Sequence, residues 1–233
     1  MIIIIGIGSG IGGYLLSHFA NKGEQVLAGS RSTIYETTCG VIKAPIDVCD
    51  EASVAKFFTL AAGETIDSLI YCAGITLPKT NLAEFDQANF KMVLDTNVVG
   101  FATVMKHALP YMTGSLSRVV AIGSMASRSP SLYSGFEYTS SKHALAGVVR
   151  HLARDLASRN ILMNCVHPGP VDTPMLRANL SEQDIAEIEK HIPTHKLTTM
   201  DDVVSAVTFL IGCQNINITG VGIDVNGGQI ITC

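Results

Sequence analysis

Residues 1–19 constrain the fold more tightly than any other stretch of the chain. Ile2 to Ile5 is an unbroken β-branched run, the pattern of a strand buried on both faces of a parallel sheet. It passes directly into Gly6-Ile7-Gly8-Ser9-Gly10-Ile11-Gly12-Gly13, five glycines in eight residues. A helical pattern follows through Tyr14, Leu15, Leu16 and Phe19. Strand, glycine loop and helix in that order form a dinucleotide-binding arrangement. Glycine permits the tight turn and lets the backbone approach a pyrophosphate, which rests at the positive N-terminus of the helix. A merely flexible loop explains neither the strand before it nor the helix after it.

The rest of the chain repeats the alternation. Gln25 to Ala28 reads as a second strand, ending in Gly29-Ser30-Arg31-Ser32. An acid at that strand end would select NAD; a guanidinium among hydroxyls suits a 2′-phosphate, so Ser30 and Arg31 favour NADP(H), with NAD(H) the alternative. Val41 to Ile46 is a third strand leading into Asp47-Val48, with a helix over Glu51 to Ala62. Ile66 to Tyr71 is a fourth, ending in Cys72-Ala73-Gly74. Asn81 to Leu109 has a helical pattern with Asn97 inside it. Val119 to Ile122 precedes Gly123-Ser124, and Ile161 to Val166 precedes Pro168-Gly169-Pro170-Val171-Asp172-Thr173. Helices over Ser181 to His191 and Asp201 to Leu210 lead to a last strand, Gly222 to Val225. The pattern predicts an α/β chain with a doubly wound parallel sheet (a Rossmann fold), one domain over residues 1–233. Ligands of such sheets collect at the carboxyl ends of the strands, where these glycine and polar segments fall.

A long amphipathic pattern opens at Phe136-Glu137-Tyr138-Thr139-Ser140-Ser141-Lys142 and runs to about Ala157, with Leu145, Val149, Leu152 and Leu156 at helical spacing. Tyr138 and Lys142 stand one turn apart and share a face. A phenol beside a fixed ammonium has its phenolate form favoured, which suits it to give or take a proton at a carbonyl or alcohol. A surface pair is the bland alternative.

Several function classes are excluded. A net charge of −4 with no basic cluster argues against a nucleic acid partner. No apolar run approaches the roughly 18 residues of a membrane span, and the opening isoleucines lack the basic flank of a signal peptide. Six cysteines (Cys39, Cys49, Cys72, Cys165, Cys213, Cys233) without C-x-x-C spacing read as buried small hydrophobes of a reduced, cytoplasmic protein. His191 and His195 stand four apart, but Pro193 lies between them and no third ligand is evident, so no metal site is expected.

Over nearly its whole length the sequence resembles the short-chain dehydrogenase/reductases. Gly6-x-x-x-Gly10-x-Gly12 is similar to the family's cofactor motif, with Ile5 where threonine is common, and Gly8, Ser9 and Ile11 belong to the same loop. The resemblance implies that Asp47 and Val48 contact adenine. Cys72-Ala73-Gly74 stands for the family's Asn-Ala-Gly, losing one polar side chain of the central sheet. Asn97, Ser124, Tyr138 and Lys142 correspond to the catalytic tetrad. Pro168, Gly169, Val171 and Thr173 match the segment that holds the nicotinamide carboxamide. The connection from Ala28 to Val41 is too short for the usual helix.

The implied reaction is reversible hydride transfer between NADP(H) and a carbonyl carbon or secondary alcohol. Tyr138 is the proton donor and acceptor, Lys142 holds tyrosine and ribose, and Ser124 donates to the substrate oxygen. Asn97, inside its helix, interrupts the backbone ladder and binds a water that connects Lys142 to solvent. Met125, Leu132, Tyr133, Phe136, Met175 and Leu176 are the expected apolar pocket wall, under a lid over residues 174–195. The substrate class is a ketone, an aldehyde or a 3-oxoacyl thioester. Two other readings are an NAD(P)+-dependent alcohol dehydrogenase of the same fold and a silent dinucleotide sensor, which needs neither the tyrosine nor the lysine. The resemblance also implies a homotetramer or homodimer.

Overall fold

A computed structural model describes residues 1–8, 10–79, 81–131, 134–177 and 180–232. Among these, the strands are β1 (Ile2–Ile5), β2 (Val26–Ser30), β3 (Glu36–Thr38), β4 (Val41–Pro45), β5 (Ser68–Tyr71), β6 (Ser117–Ile122), β7 (Ile161–Pro168) and β8 (Gly222–Val225). The helices are α1 (Gly10–Asn21), α2 (Glu51–Phe58), α3 (Gln87–Leu94), α4 (Gly100–Ala108), α5 (Phe136–Leu156), α6 (Pro174–Arg177), α7 (Glu182–His191) and α8 (Met200–Ile211). One sheet runs in the order β3-β4-β2-β1-β5-β6-β7-β8, parallel throughout except for β3 against β4. The expected doubly wound α/β sheet is present.

β1 shows why the chain opens on four isoleucines. Successive side chains of a strand point to opposite faces. Ile3 and Ile5 join Phe57, Phe101, Leu145 and Val149 under α2, α4 and α5. Ile2 and Ile4 join Leu15, Phe19, Val203 and Val207 under α1 and α8. Both faces are covered, so no position along β1 tolerates a polar side chain. β1 pairs with β2 on one side and β5 on the other, and the strand order reverses there. A crevice opens at that point beyond the strands' carboxyl ends.

One expectation holds with an addition, and two need correction. The short link between β2 and β4 does lack a helix, but it folds into β3, a hairpin arm paired Glu36 to Lys43 and Thr38 to Val41. Glu-Thr-Thr is exposed on both faces, so it carries no apolar alternation to read. The segment from Asn81 to Leu109 is not one helix. Asn81 caps a single 3-10 turn, Leu82–Glu84, and Asp86 caps α3 separately by accepting the Ala88 N–H. A π-turn at Asp95–Val99 then joins α3 to α4. The cysteines are not uniformly buried: Cys165 is buried and Cys72 half-buried, while Cys39, Cys49 and Cys213 lie in exposed turns; all five are free thiols. Cys233 lies outside the described residues.

The segment after β7 forms α6 and α7, the second capped by the Ser181–Asp184 box. Ile185, Ile188, Ile192 and Leu197 form a small core of their own, with Leu176 and Leu180 against it. Arg177 grips Asp172 through Nε (2.6 Å) and a terminal nitrogen (2.9 Å) and pairs with Glu182. No described helix is long and apolar enough to cross a membrane.

Candidate active site

The crevice is a cleft of about 670 Å³. Its floor begins where β1 ends. Gly6 has φ +99°, a conformation that glycine alone adopts without strain, and a β-carbon there would overlap the Ala73 nitrogen. A β-carbon on Gly12 would overlap the Gly6 carbonyl oxygen. The first turn of α1 is thereby seated on the loop, with its N-terminus at the cleft and no acidic side chain in that turn. Free N–H groups and the helix dipole make this an anion cradle. Gly6, Gly8, Gly10, Ile11 and Gly12 all line the cleft. Ser9 lies outside the described residues.

On the β2 side, Ser30 and Arg31 line the cleft. A β-carbon on Gly8 would stand 3.4 Å from Ser30 Oγ and 3.8 Å from Ser32 Oγ, so the loop faces these hydroxyls. Ser30 Oγ shares a 2.8 Å hydrogen bond with Thr33 Oγ1, and the Arg31 side chain is exposed. Asp47 Oδ1 accepts the Cys49 N–H at 3.0 Å, and Asp47 and Val48 lie on the same wall. Cys72, Ala73 and Gly74 continue the floor. Burial pushes the Cys72 thiol up to about 12, so it is an inert apolar group where the family carries an asparagine.

Tyr138, Lys142 and Ser124 line the same cleft. Lys142 is buried, and its Nζ donates to the Ile122 carbonyl at 2.9 Å, at the end of β6. The same Nζ stands 5.6 Å from the centroid of the Tyr138 ring and 3.4 Å from where a β-carbon on Gly74 would be. Ser124 is extended and caps the Met125–Ser127 turn, its Oγ accepting the Ala126 N–H at 3.1 Å. That bond leaves the hydroxyl proton available to the cleft.

Asn97 does not line the cleft. It lies beneath the floor with no exposed surface, inside the π-turn. Its Oδ1 accepts the Ile75 N–H at 2.8 Å, and its Nδ2 donates to the Ile75 carbonyl at 3.0 Å and to Ser141 Oγ at 2.9 Å. In the same turn the Thr96 carbonyl accepts the hydroxyl of buried Tyr71 at 2.6 Å.

Pro168, Gly169, Val171 and Thr173 line the cleft from the end of β7. Thr173 Oγ1 accepts the Leu176 N–H at 3.2 Å, and its methyl lies 3.7 Å from a β-carbon position on Gly10. Of the expected apolar wall, Met125 and Leu176 are in place. Phe136 is not: its ring packs 5.7 Å from both Phe85 and Phe90, on the outside of α3 and α5. Leu132, Tyr133 and the side chain of Met175 lie outside the described part. Sequence reasoning missed the loop Ile75 to Lys79, together with Ser131, Ser134 and Leu180, all of which line the cleft. None carries a motif; their only signal is position after a strand end or beside the Tyr138 helix.

The glycine contacts test whether a dinucleotide fits. A β-carbon at Gly6 or Gly12 would fill the cradle, whereas the glycines leave backbone within reach of a phosphate, and the cleft runs from there to Tyr138. The arrangement fits such a group. Among the described residues no cluster of metal-ligating side chains occurs.

Comparison with known proteins agrees. The family model described as Enoyl-(Acyl carrier protein) reductase matches residues 6–229. A 3-oxoacyl-[acyl-carrier-protein] reductase (FabG) of Aggregatibacter actinomycetemcomitans is 31% identical over 242 residues, covering 97% of this chain and 98% of its own. The solved structure of ElxO with NADP bound superposes with a TM-score of 0.88 at 28% identity, covering 98% of this chain and 97% of that one. The 3-ketoacyl-(acyl-carrier-protein) reductase from Brucella melitensis complexed with NADH gives 0.89 at 25% identity, covering 99% and 98%. Glycine cradle, sheet order and matched length together lead to one conclusion: the chain belongs to the short-chain dehydrogenase/reductase family, oxidoreductases that act between CH–OH and C=O groups.

Proposed function

We propose that the protein transfers a hydride between NADP(H) and a carbonyl or secondary alcohol, with residues 1–233 acting as one dinucleotide-binding and catalytic domain. The observation that carries this reading is one cleft lined both by the glycine cradle and by Tyr138, Lys142 and Ser124. When bound, the nicotinamide supplies or accepts the hydride. The chain's own residues do the rest. The α1 N-terminus and the Gly6–Gly12 backbone bind the pyrophosphate, and Asp47 and Val48 flank adenine. Cys72, Ala73, Gly74 and Lys142 border the ribose, and Pro168, Gly169, Val171 and Thr173 hold the carboxamide. Ser124 donates a hydrogen bond to the substrate oxygen, and Tyr138 delivers the one proton to that oxygen on reduction or takes it on oxidation. Lys142, tethered to the Ile122 carbonyl, keeps its charge at the tyrosine.

Relatives carry either dinucleotide, so the preference for NADP(H) rests on Ser30 and on the exposed Arg31 at the end of β2. Leu77, Met125, Leu176 and Leu180 offer an apolar surface to a ketone, aldehyde or 3-oxoacyl thioester. Five free thiols support a reducing, cytoplasmic setting, and the exposed Phe85–Phe136 pair supports a homodimer or homotetramer.

The test is NADPH consumption against a carbonyl panel of 3-oxoacyl thioesters, cyclic ketones, diketones and aldehydes, with Tyr138→Phe alongside. Turnover that vanishes in the variant, with NADPH binding retained, is the expected result. Undiminished turnover in Tyr138→Phe would remove the tyrosine from its role.

A further inference from the structure

Ser141 takes no part in the chemistry described so far, yet it is among the most enclosed polar residues of the chain. It has no exposed surface and neighbours Lys142 on α5. Its hydroxyl accepts from Asn97 Nδ2 at 2.9 Å and donates to the Tyr138 carbonyl at 2.8 Å.

The direction of every bond in this chain is set. Asn97 Oδ1 must accept, because its partner is the Ile75 N–H. The amide nitrogen therefore faces the other way, and both its hydrogens are spent, one on the Ile75 carbonyl and one on Ser141. Ser141, having accepted from Asn97, has one hydrogen, and it goes to the Tyr138 carbonyl. A continuous, fully satisfied path thus runs from the backbone at Ile75, beside Gly74 on the cleft floor, through the π-turn to the first turn of α5. Tyr138 and Lys142 are one turn apart on that helix, so whatever holds the Tyr138 carbonyl sets the height of both above the floor.

We infer that Ser141 is a positioning residue for the reaction: its hydroxyl couples the Asn97 π-turn and the Ile75 loop to the Tyr138 backbone and so sets the phenol against the substrate oxygen. The inference rests on the reading of Tyr138 as the proton donor. It also assigns the Asn97 side chain a part in architecture, because neither amide hydrogen is left for a solvent relay. Removing the Ser141 hydroxyl strands a buried donor on Asn97 and frees the first turn of α5 from the floor, and sub-ångström displacement of a reacting group is enough to slow catalysis.

The experiment compares wild type, Ser141→Ala, the near-isosteric Ser141→Cys, Asn97→Ala, the Asn97→Ala/Ser141→Ala double variant and Tyr138→Phe. The assays are kcat across pH, NADPH affinity by fluorescence titration, and thermal melting. Both Ser141 variants should lose roughly tenfold in kcat, with a displaced pH–kcat profile and NADPH affinity unchanged within about twofold. The double variant should be little worse than Asn97→Ala, since both changes break one path. Wild-type kcat with an unmoved pH profile in the Ser141 variants, or losses that multiply in the double variant, would overturn the inference. If Tyr138→Phe itself turns over normally, the assignment of Tyr138 fails instead, and the two failures are told apart.

Discussion

His167 carries a pH dependence of stability that can be worked out from its surroundings. It lies on β7 immediately before Pro168 and is 1% exposed. Its ring is wedged between two glycines: a β-carbon on Gly123 would overlap Nδ1, and one on Gly222 would overlap Nε2. Nδ1 has no hydrogen-bond partner. The Arg128 guanidinium lies against the same Gly222, donating to its carbonyl at 3.0 Å and to Asp224 at 3.0 Å. Burial first, and then the Arg128 guanidinium, pushes the imidazole down to about 4; Asp224 pulls the other way, and Lys142 and Arg150 add smaller downward pushes. In the unfolded chain a histidine titrates near 6.5. Below that pH the unfolded chain binds a proton that the fold refuses, so stability falls as pH drops from about 6.5 to about 4 and levels off beneath. At about 1.4 kcal/mol per pH unit the full loss is roughly 3–4 kcal/mol, most of it present by pH 4.5. Urea unfolding followed by circular dichroism at pH 7.5 and 4.5 measures this in the wild type and in His167→Gln. Carboxylates and the other histidines titrate alike in both, so the difference between the two pH dependences isolates His167. The wild type should lose roughly 2–3 kcal/mol more than the variant over that interval. Parallel profiles would refute the reasoning, because they would mean the fold accepts a proton at His167 as readily as the unfolded chain.

Gly12→Ala should lower stability by about 1–3 kcal/mol and abolish NADPH binding, since its methyl would meet the Gly6 carbonyl; a melt and a titration like the wild type's would contradict the packing described. Arg31→Asp should weaken NADPH binding roughly tenfold or more while changing NADH affinity little, and equal effects on both, measured by titration, would defeat the 2′-phosphate assignment.

What could be read from the chain alone follows from how local each signal is. The four isoleucines of β1 and the 3.6-residue period of α5 are short-range patterns, and both elements stand where the pattern put them. Nineteen of the residues expected at the cofactor and reaction sites line the cleft, because strand ends of a parallel sheet converge on one side whatever the detailed packing. Asn97 was legible as a helix interruption, but its burial beneath the floor depends on Ile75 and Ser141, which are remote in sequence. The Phe136 expectation fails for the same reason: its partners are Phe90 on α3 and Phe85 just before that helix, and no periodicity within α5 tells the cleft side from the outer side. The β3 hairpin carried no signal, since an exposed three-residue strand has neither apolar alternation nor length.

That hairpin has a consequence for how the protein behaves in crowded solution. Any open sheet ends in a row of unpaired backbone groups that can recruit a strand from another molecule. Here the margin beyond β4 is occupied by Glu36-Thr37-Thr38, only three residues long, running against its neighbour and charged through the Glu36–Lys43 pair at 3.0 Å. A template so short and polar gives an incoming chain few bonds and no greasy surface. The polypeptide saved by omitting a crossover helix therefore still leaves that end of the sheet defended against strand-by-strand aggregation.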